Sequence, residues 1–237
     1  MKIPRIWFFD MEGTILRKDY ELDNGKVAPS AWTVLAKSLG EDCYREEERT
    51  KDKWLAGEYN GYLDWMKDTI LIHKKYGMSR ETLEYVVSIS EFHDGVEELF
   101  VWLREQGVIT ALITGGFKAL ADKVQRKLKI DHALSGCEYF FDDSGNIEFF
   151  NLLPSDHEGK LSFMRQVLFE HGLSAQDSVF IGDGKNDVFL ARHAGTSIAF
   201  NAQRELKDVA TFSVEHEQGK ENLADIIKCF SERSSNF

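Results

Sequence analysis

The sequence predicts an α/β fold, a doubly wound parallel sheet with a small helical unit inserted after the first strand. Three observations predict it. Short apolar runs without polar alternation, such as IWFF and VITALIT, have the character of strands covered on both faces. In the second half of the chain such runs alternate with amphipathic helices, the pattern of parallel strands joined by crossovers. Between the first run and that alternation lies a long stretch of helical patterns with no convincing strand.

Residues 3–9 form the first apolar run, expected to be the central strand. The patterns SAWTVLAKSLG, CYREEERTKDKWLAG, YLDWMKDTILIHKKYG and SRETLEYVVSIS then predict successive helices. GVEELFVWLREQG is an amphipathic helix closed by Gly107, VITALIT a second strand ending at Thr114, and FKALADKVQRKL the next helix. YFFDDSGNIEFF reads as a β-hairpin. A helix over GKLSFMRQVLFEHG follows, then the strand SVFIGD, the helix NDVFLARHAG, the strand TSIAF, a short helix ELKDVA and a last helix near ENLADIIKCF. With no internal repeat, no low-complexity linker and only three prolines, residues 18–89 are expected to fold as a cap onto a core made of residues 1–17 and 90–237.

Composition narrows the partners. A chain of 237 residues that is 43% hydrophobic can bury a full core. Its formal net charge of -11 works against a polyphosphate backbone, so nucleic acid is not expected as a partner. Cys43, Cys137 and Cys229 are odd in number and lack metal-site spacing, as expected of reduced thiols in a cytoplasmic protein. The apolar run before Asp10 is too short for a signal or a span, so no membrane association is expected; a monomer or homodimer is.

In a doubly wound sheet, ligands sit outside the carboxyl ends of the strands. Four segments there are polar in a consistent way: Asp10 to Thr14, Thr114-Gly115-Gly116, Lys160 at a helix start, and Gly182 to Asp187. Two carboxylates about 5 Å apart repel by roughly 3 kcal/mol at an effective dielectric near 20, and Asp183 and Asp187 add to this. Oxygen ligands from Asp10, Glu12, Asp183 and Asp187, with no His or Cys at these ends, suit Mg2+ rather than zinc. Thr114, Gly115 and Gly116 offer a hydroxyl and backbone N–H groups to a phosphate oxygen, and Lys160 adds a positive charge. Together they suit phosphoryl transfer, with Asp10 as nucleophile and Glu12 as acid and base.

These four segments, in this order, resemble the haloacid dehalogenase superfamily, and within it the phosphoserine phosphatase-like group. Asp10 to Thr14 is similar to its Asp-x-Asp-x-Thr motif, Thr114 to its second-motif Ser/Thr, Lys160 to its third motif, and Gly182 to Asp187 to its Gly-Asp-x-x-Asn-Asp motif. ITGGF stands where the group has SGGF, and GDGKNDVFLARHAGTSIAFNA looks like its fourth-motif region. The resemblance implies a Rossmann-like core and a Mg2+-dependent phosphatase acting through an aspartyl-phosphate. Its substrate would be a small phosphorylated metabolite, phosphoserine among them. Asn186 is carried over as a phosphate-binding residue, beside Thr114, Gly115, Gly116 and Lys160. Phosphocholine, phosphoethanolamine or a sugar phosphate are alternatives, as are a phosphotransferase and a catalytically silent protein of the same fold.

Two departures stand out. The second acid is Glu12 where the group has Asp, and its extra methylene extends the reach of the proton donor. The group also reads phosphoserine through a Glu after the first motif and a cap Arg; here Asp19 takes the first offset, and Lys67 lies near the second, a poor substitute for a bidentate fork. Trp32, Trp54, Tyr59, Tyr62, Trp65 and Tyr76 recur at helical spacings and are read as packing residues, one or two of which roof the pocket. The histidines, His157 and His193 included, show no ligand spacing and receive no role.

Overall fold

All four residues of β1 (Ile6–Phe9) are fully buried. Period-two alternation sends Trp7 and Phe9 into one apolar cluster and Ile6 and Phe8 into another, so the strand requires cover on both faces. The strand begins after Pro4, which has no N–H to donate to a ladder, and so starts later than the apolar run that announces it. This computed structural model describes residues 3–155 and 157–231.

Six further strands complete the sheet: β2 (Ile109–Phe117), β3 (His132–Phe141), β4 (Ile147–Leu152), β5 (Ser178–Gly182), β6 (Thr196–Phe200) and β7 (Phe212–Val214). Their order is β4-β3-β2-β1-β5-β6-β7, parallel throughout except for β4, which runs antiparallel to β3. The α/β, doubly wound architecture is as the sequence predicts, and β1 is the central strand. From it the chain builds outward to β4 on one side, then crosses back to start β5 against the other edge of β1. That reversal opens a crevice at the carboxyl ends of β1, β2 and β5.

Between β1 and the second strand lie α1 (Ala31–Ser38), α2 (Glu41–Leu55), α3 (Tyr62–Lys75), α4 (Arg80–Ile89) and α5 (Val96–Glu105). The first four fall where the helical patterns predict them. Leu35, Ile70 and Val86 from α1, α3 and α4 share one apolar cluster with Trp7 and Leu112 of the sheet, and with Leu99 of α5 and Val124 of α6 (Lys118–Leu128). The opposite face is covered by Met164 and Val167 of α7 (His157–Glu170), Leu190 of α8 (Val188–His193) and Leu206 of α9 (Arg204–Lys207).

The structure departs from the sequence reading at weakly apolar elements. The first half of β3 and all of β7 are strands that the sequence does not announce; both are half-buried or exposed and short of β-branched residues. The C-terminal helix begins as a 3-10 turn over Leu223–Ile227 and becomes α-helical only in α10 (Lys228–Ser231). The hairpin is present: β3 and β4 join through a turn in which Asp142 and Asn146 pair and Gly145 takes φ +84°. No helix of the described residues is long and apolar enough to cross a membrane.

Burial sets the first prediction. Phe8 is 0% exposed between two strands, whereas Phe149 on the edge strand is 51% exposed. Phe8→Ala should lower the unfolding free energy by about 3 to 5 kcal/mol, and Phe149→Ala by well under half of that. Urea titration followed by tryptophan fluorescence measures both.

Candidate active site

Asp10 follows directly after β1, 5% exposed, with its N–H donating to Ile181 O of β5 at 2.9 Å. Two neighbouring strands thus fix its backbone. The chain then turns through Gly13, at φ +86°, a conformation that L side chains avoid. Space demands glycine there as well: a Cβ would lie 2.3 Å from Asp183 Oδ2 and 2.7 Å from Lys18 Nζ.

Lys160, in the first turn of α7, is 1% exposed. Its Nζ donates to Asp10 Oδ1 at 2.6 Å and to Asp187 Oδ1 at 2.9 Å. Asp187 is fully buried, and its Oδ2 accepts from Gly184 N–H at 3.2 Å. Asp183, one residue past β5, pairs with Lys18 at 2.6 Å. Oxygens of Asp10, Asp183 and Asp187 all lie within 4.8 Å of one another.

Electrostatics make this cluster short of positive charge. Three carboxylates face two ammonium groups, Lys18 and Lys160. Burial, then the charge of Asp187, raises the Asp10 carboxyl above its usual range, against the pull of Lys160. Burial also raises Asp183, with Lys18 opposing. Burial disfavours a charged Lys160, yet Asp10 and Asp187 outweigh it and hold its pKa above the ordinary lysine value. A buried all-carboxylate oxygen set that its own lysines do not neutralise fits a hard divalent cation.

Glu12 stands apart from the triad. Its Oε1 accepts from Ala31 N–H, the first amide of α1, where the Ser30 side chain makes no capping bond. Its Oε2 faces Gly116, where a Cβ would meet it at 3.0 Å. Burial pushes the Glu12 carboxyl up to about 7, while the Ala31 N–H and Lys18 pull it down. The group therefore sits midway between its protonated and ionised forms near neutral pH.

The register of β2 against β3 shifts between Thr114 and Phe117, so the strand carries Gly115 and Gly116 across the crevice. Thr114 is 2% exposed, and its Oγ1 accepts from Gly116 N–H at 3.0 Å, which leaves the hydroxyl proton to point elsewhere. Asp10, Glu12, Thr114, Gly115, Gly116, Lys160, Asp183 and Asn186 all line one cavity of about 380 Å³, and Asp187 supports it from behind. All nine sequence-predicted residues are therefore drawn into one place.

The opposite wall comes from the helices. Trp32, Glu47, Trp54, Tyr62 and Trp65 line it, so four of the six aromatic residues read as packing border the cavity. Tyr59 and Tyr76 bond instead to Asp68 and Glu46. Asp19 is exposed and lines a neighbouring cavity, and Lys67 is exposed; neither lines this cavity. Sequence reasoning misses Lys18, Ser155 and Glu47. Lys18 follows the first motif closely enough to have been found by asking what balances Asp183. Ser155, 4% exposed with its Oγ 3.2 Å from Tyr62 OH, sits in an irregular segment without a pattern to mark it.

The family model for haloacid dehalogenase-like hydrolases matches residues 7–192. The phosphoserine phosphatase of Archaeoglobus fulgidus is 28% identical over 222 residues, 94% of this chain and 58% of that protein. That of Methanocaldococcus jannaschii is 30% identical over 137 residues, 57% of this chain and 62% of its own length. These alignments thus span about three fifths of each relative. A solved phospho-aspartyl intermediate analogue of phosphoserine phosphatase superposes with a TM-score of 0.72 at 21% identity, over 96% of this chain and 99% of that one. A substrate-bound phosphoserine phosphatase complex gives 0.71 at 20% identity, over 97% and 99%. At such identities the likeness is one of fold.

The environment of Glu12 generates a pH prediction. Its carboxyl lies at about 7 in the fold against an ordinary 4.5, so the folded state retains a proton that the unfolded state releases. Its favourable contribution is complete below 4.5 and is lost as pH rises through about 7. In chelator, Glu12→Gln, which keeps an acceptor for Ala31 N–H, should stabilise the protein at pH 8.5 relative to pH 5 by about 2 to 3 kcal/mol compared with the parent. Urea denaturation at the two pH values reads the difference.

Proposed function

The chain belongs to the haloacid dehalogenase-like hydrolase family, and from that premise we propose that it is a Mg2+-dependent phosphomonoesterase that acts on a small phosphorylated metabolite through an aspartyl-phosphate on Asp10. The observation that carries this reading is the buried Lys160 bridge between Asp10 and Asp187, beside a cavity large enough for a metabolite. Lys160 occupies Oδ1 of Asp10, so the carboxylate keeps one orientation and Oδ2 attacks phosphorus as the ester P–O bond breaks.

Glu12 gives its proton to the departing alcohol oxygen, a task suited to an acid near 7. As a carboxylate it then takes a proton from the water that attacks phosphorus, and the P–O bond to Asp10 breaks. Thr114 O–H, the Gly115 backbone, Asn186 and Lys160 supply donors to the phosphate oxygens, while Gly116 N–H holds Thr114 Oγ1 in place. Asp10, Asp183, Asp187 and the backbone carbonyl of Glu12 would hold Mg2+, which when bound neutralises charge on the transferring group as a Lewis acid.

Residues 18–89 serve in this reading as a cap that excludes bulk water from a core made of residues 1–17 and 90–237. The names of the curated relatives bring phosphoserine forward as a candidate substrate. Cys43, Cys137 and Cys229, none of them in a disulfide, support a cytoplasmic setting.

Two experiments test the proposal. Asp10→Asn should reduce p-nitrophenyl phosphate turnover by more than about a thousandfold while circular dichroism remains that of the parent, because no other carboxylate takes its place at the Lys160 bridge. Near-normal turnover would remove Asp10 as nucleophile. Mg2+ at a hundredfold above its Kd should stabilise the parent by about 2.7 kcal/mol. Asp183→Asn should lose most of that gain in the same thermal-shift titration, and EDTA should silence turnover until Mg2+ is restored.

A further inference from the structure

The helical wall of the cavity carries one buried carboxylate without an ammonium partner. Glu47 on α2 is 7% exposed, and its Oε2 lies 2.6 Å from Nε2 of His73 on α3, which is fully buried. His73 Nδ1 has no hydrogen-bond partner among the described residues, so the ring is committed to holding Glu47 from behind. Trp32 lies over the same histidine at 5.9 Å.

Beside Glu47 stands a cluster of rings. Trp54 and Trp65 stack at 5.1 Å and 9°, and Tyr62 meets both edge-on at 6.1 and 6.0 Å. Polar tips are anchored away from these faces: Trp65 Nε1 donates to Thr50 Oγ1 at 3.0 Å, and Tyr62 OH pairs with Ser155. The three rings and the Glu47 carboxylate thus line the same cavity, with Glu48 and Lys51 beside them. Rings and carboxylate both attract a cation.

The same wall lacks a receptor for an anion. No arginine lines the cavity among the described residues. Two of its lysines are committed, Lys160 to Asp10 and Asp187 and Lys18 to Asp183 at 2.6 Å, and the half-exposed Lys51 stands 3.6 Å from Glu48. A carboxylate on the substrate would meet Glu47 and Glu48 with only a shared ammonium to receive it.

Resting on the phosphatase reading above, we propose that this wall is a cation subsite, and that the preferred substrate is the phosphomonoester of an alcohol bearing an ammonium group and no carboxylate, the class of phosphoethanolamine and phosphocholine. Phosphate sits at Asp10 and Lys160, and the ammonium lies against Glu47 and the Trp54, Tyr62 and Trp65 rings. His73 is a positioning residue that acts through Glu47.

The test compares kcat/KM of the Mg2+-loaded, full-length protein for phosphoethanolamine, phosphocholine, phosphoserine, glycerol 3-phosphate, glucose 6-phosphate and p-nitrophenyl phosphate. At least one of the first two should exceed phosphoserine, glycerol 3-phosphate and glucose 6-phosphate by about tenfold or more. Glu47→Gln should shrink that preference by on the order of tenfold, and His73→Gln should raise KM for the cationic substrate more than for p-nitrophenyl phosphate. Because either variant risks misfolding, choline and ethanolamine are also tested as competitive inhibitors of the parent, with glycerol as the inactive control. Phosphoserine or a neutral ester turned over as well as the cationic pair, or equal inhibition by glycerol, overturns the proposal while leaving the phosphatase reading intact. Absence of hydrolysis of every ester in the series removes both.

Discussion

The bridge made by Lys160 is the constraint on which the site depends. One ammonium, 1% exposed, satisfies carboxylates that follow β1 and β5, elements joined only because the chain reverses direction around the central strand. Without it, Asp10 and Asp187 would be two buried negative charges in contact, a state that burial alone already disfavours. With it, the orientation of Asp10 is settled before any ligand arrives. The network still carries an excess of carboxylate over ammonium, and that residual charge gives a divalent cation its purchase.

Glu12 links this rigid floor to the helices above it. An aspartate at the same position would be shorter by one methylene; the glutamate carboxylate reaches Ala31 N–H and supplies the cap that Ser30 does not. The longer arm thus connects the loop that follows β1 to the start of the helical segment. One carboxyl group thus joins loop and helix: burial pushes it up to about 7, and the first amide of α1 donates to it.

Where the sequence was legible, the reason is periodicity. Strands with both faces covered announce themselves as unbroken apolar runs, and β1, β2, β5 and β6 were visible for that cause. Helices of the inserted segment showed themselves through amphipathic spacing. The start of β3 and the three-residue β7 were not visible, because their strand character comes from pairing with a neighbour that is already in place. Short strands with half-exposed, polar or small side chains carry no local signal.

The same division runs through the site. Sequence by itself marked Asp10, Lys160, Asp183 and Asp187, which stand near the ends of elements whose type is locally encoded, and Thr114, expected at the end of its strand but followed by three further residues of β2. Only the tertiary structure decided which carboxylates form one cluster, that Glu12 turns away from it, and that Lys18 closes on Asp183. It alone placed Glu47 and the indole rings on the far wall of the cavity, with His73 hydrogen-bonded to Glu47. The physical reason is that local periodicity reports which face of an element is apolar, whereas charge pairing and cavity shape depend on distances between elements far apart in the chain.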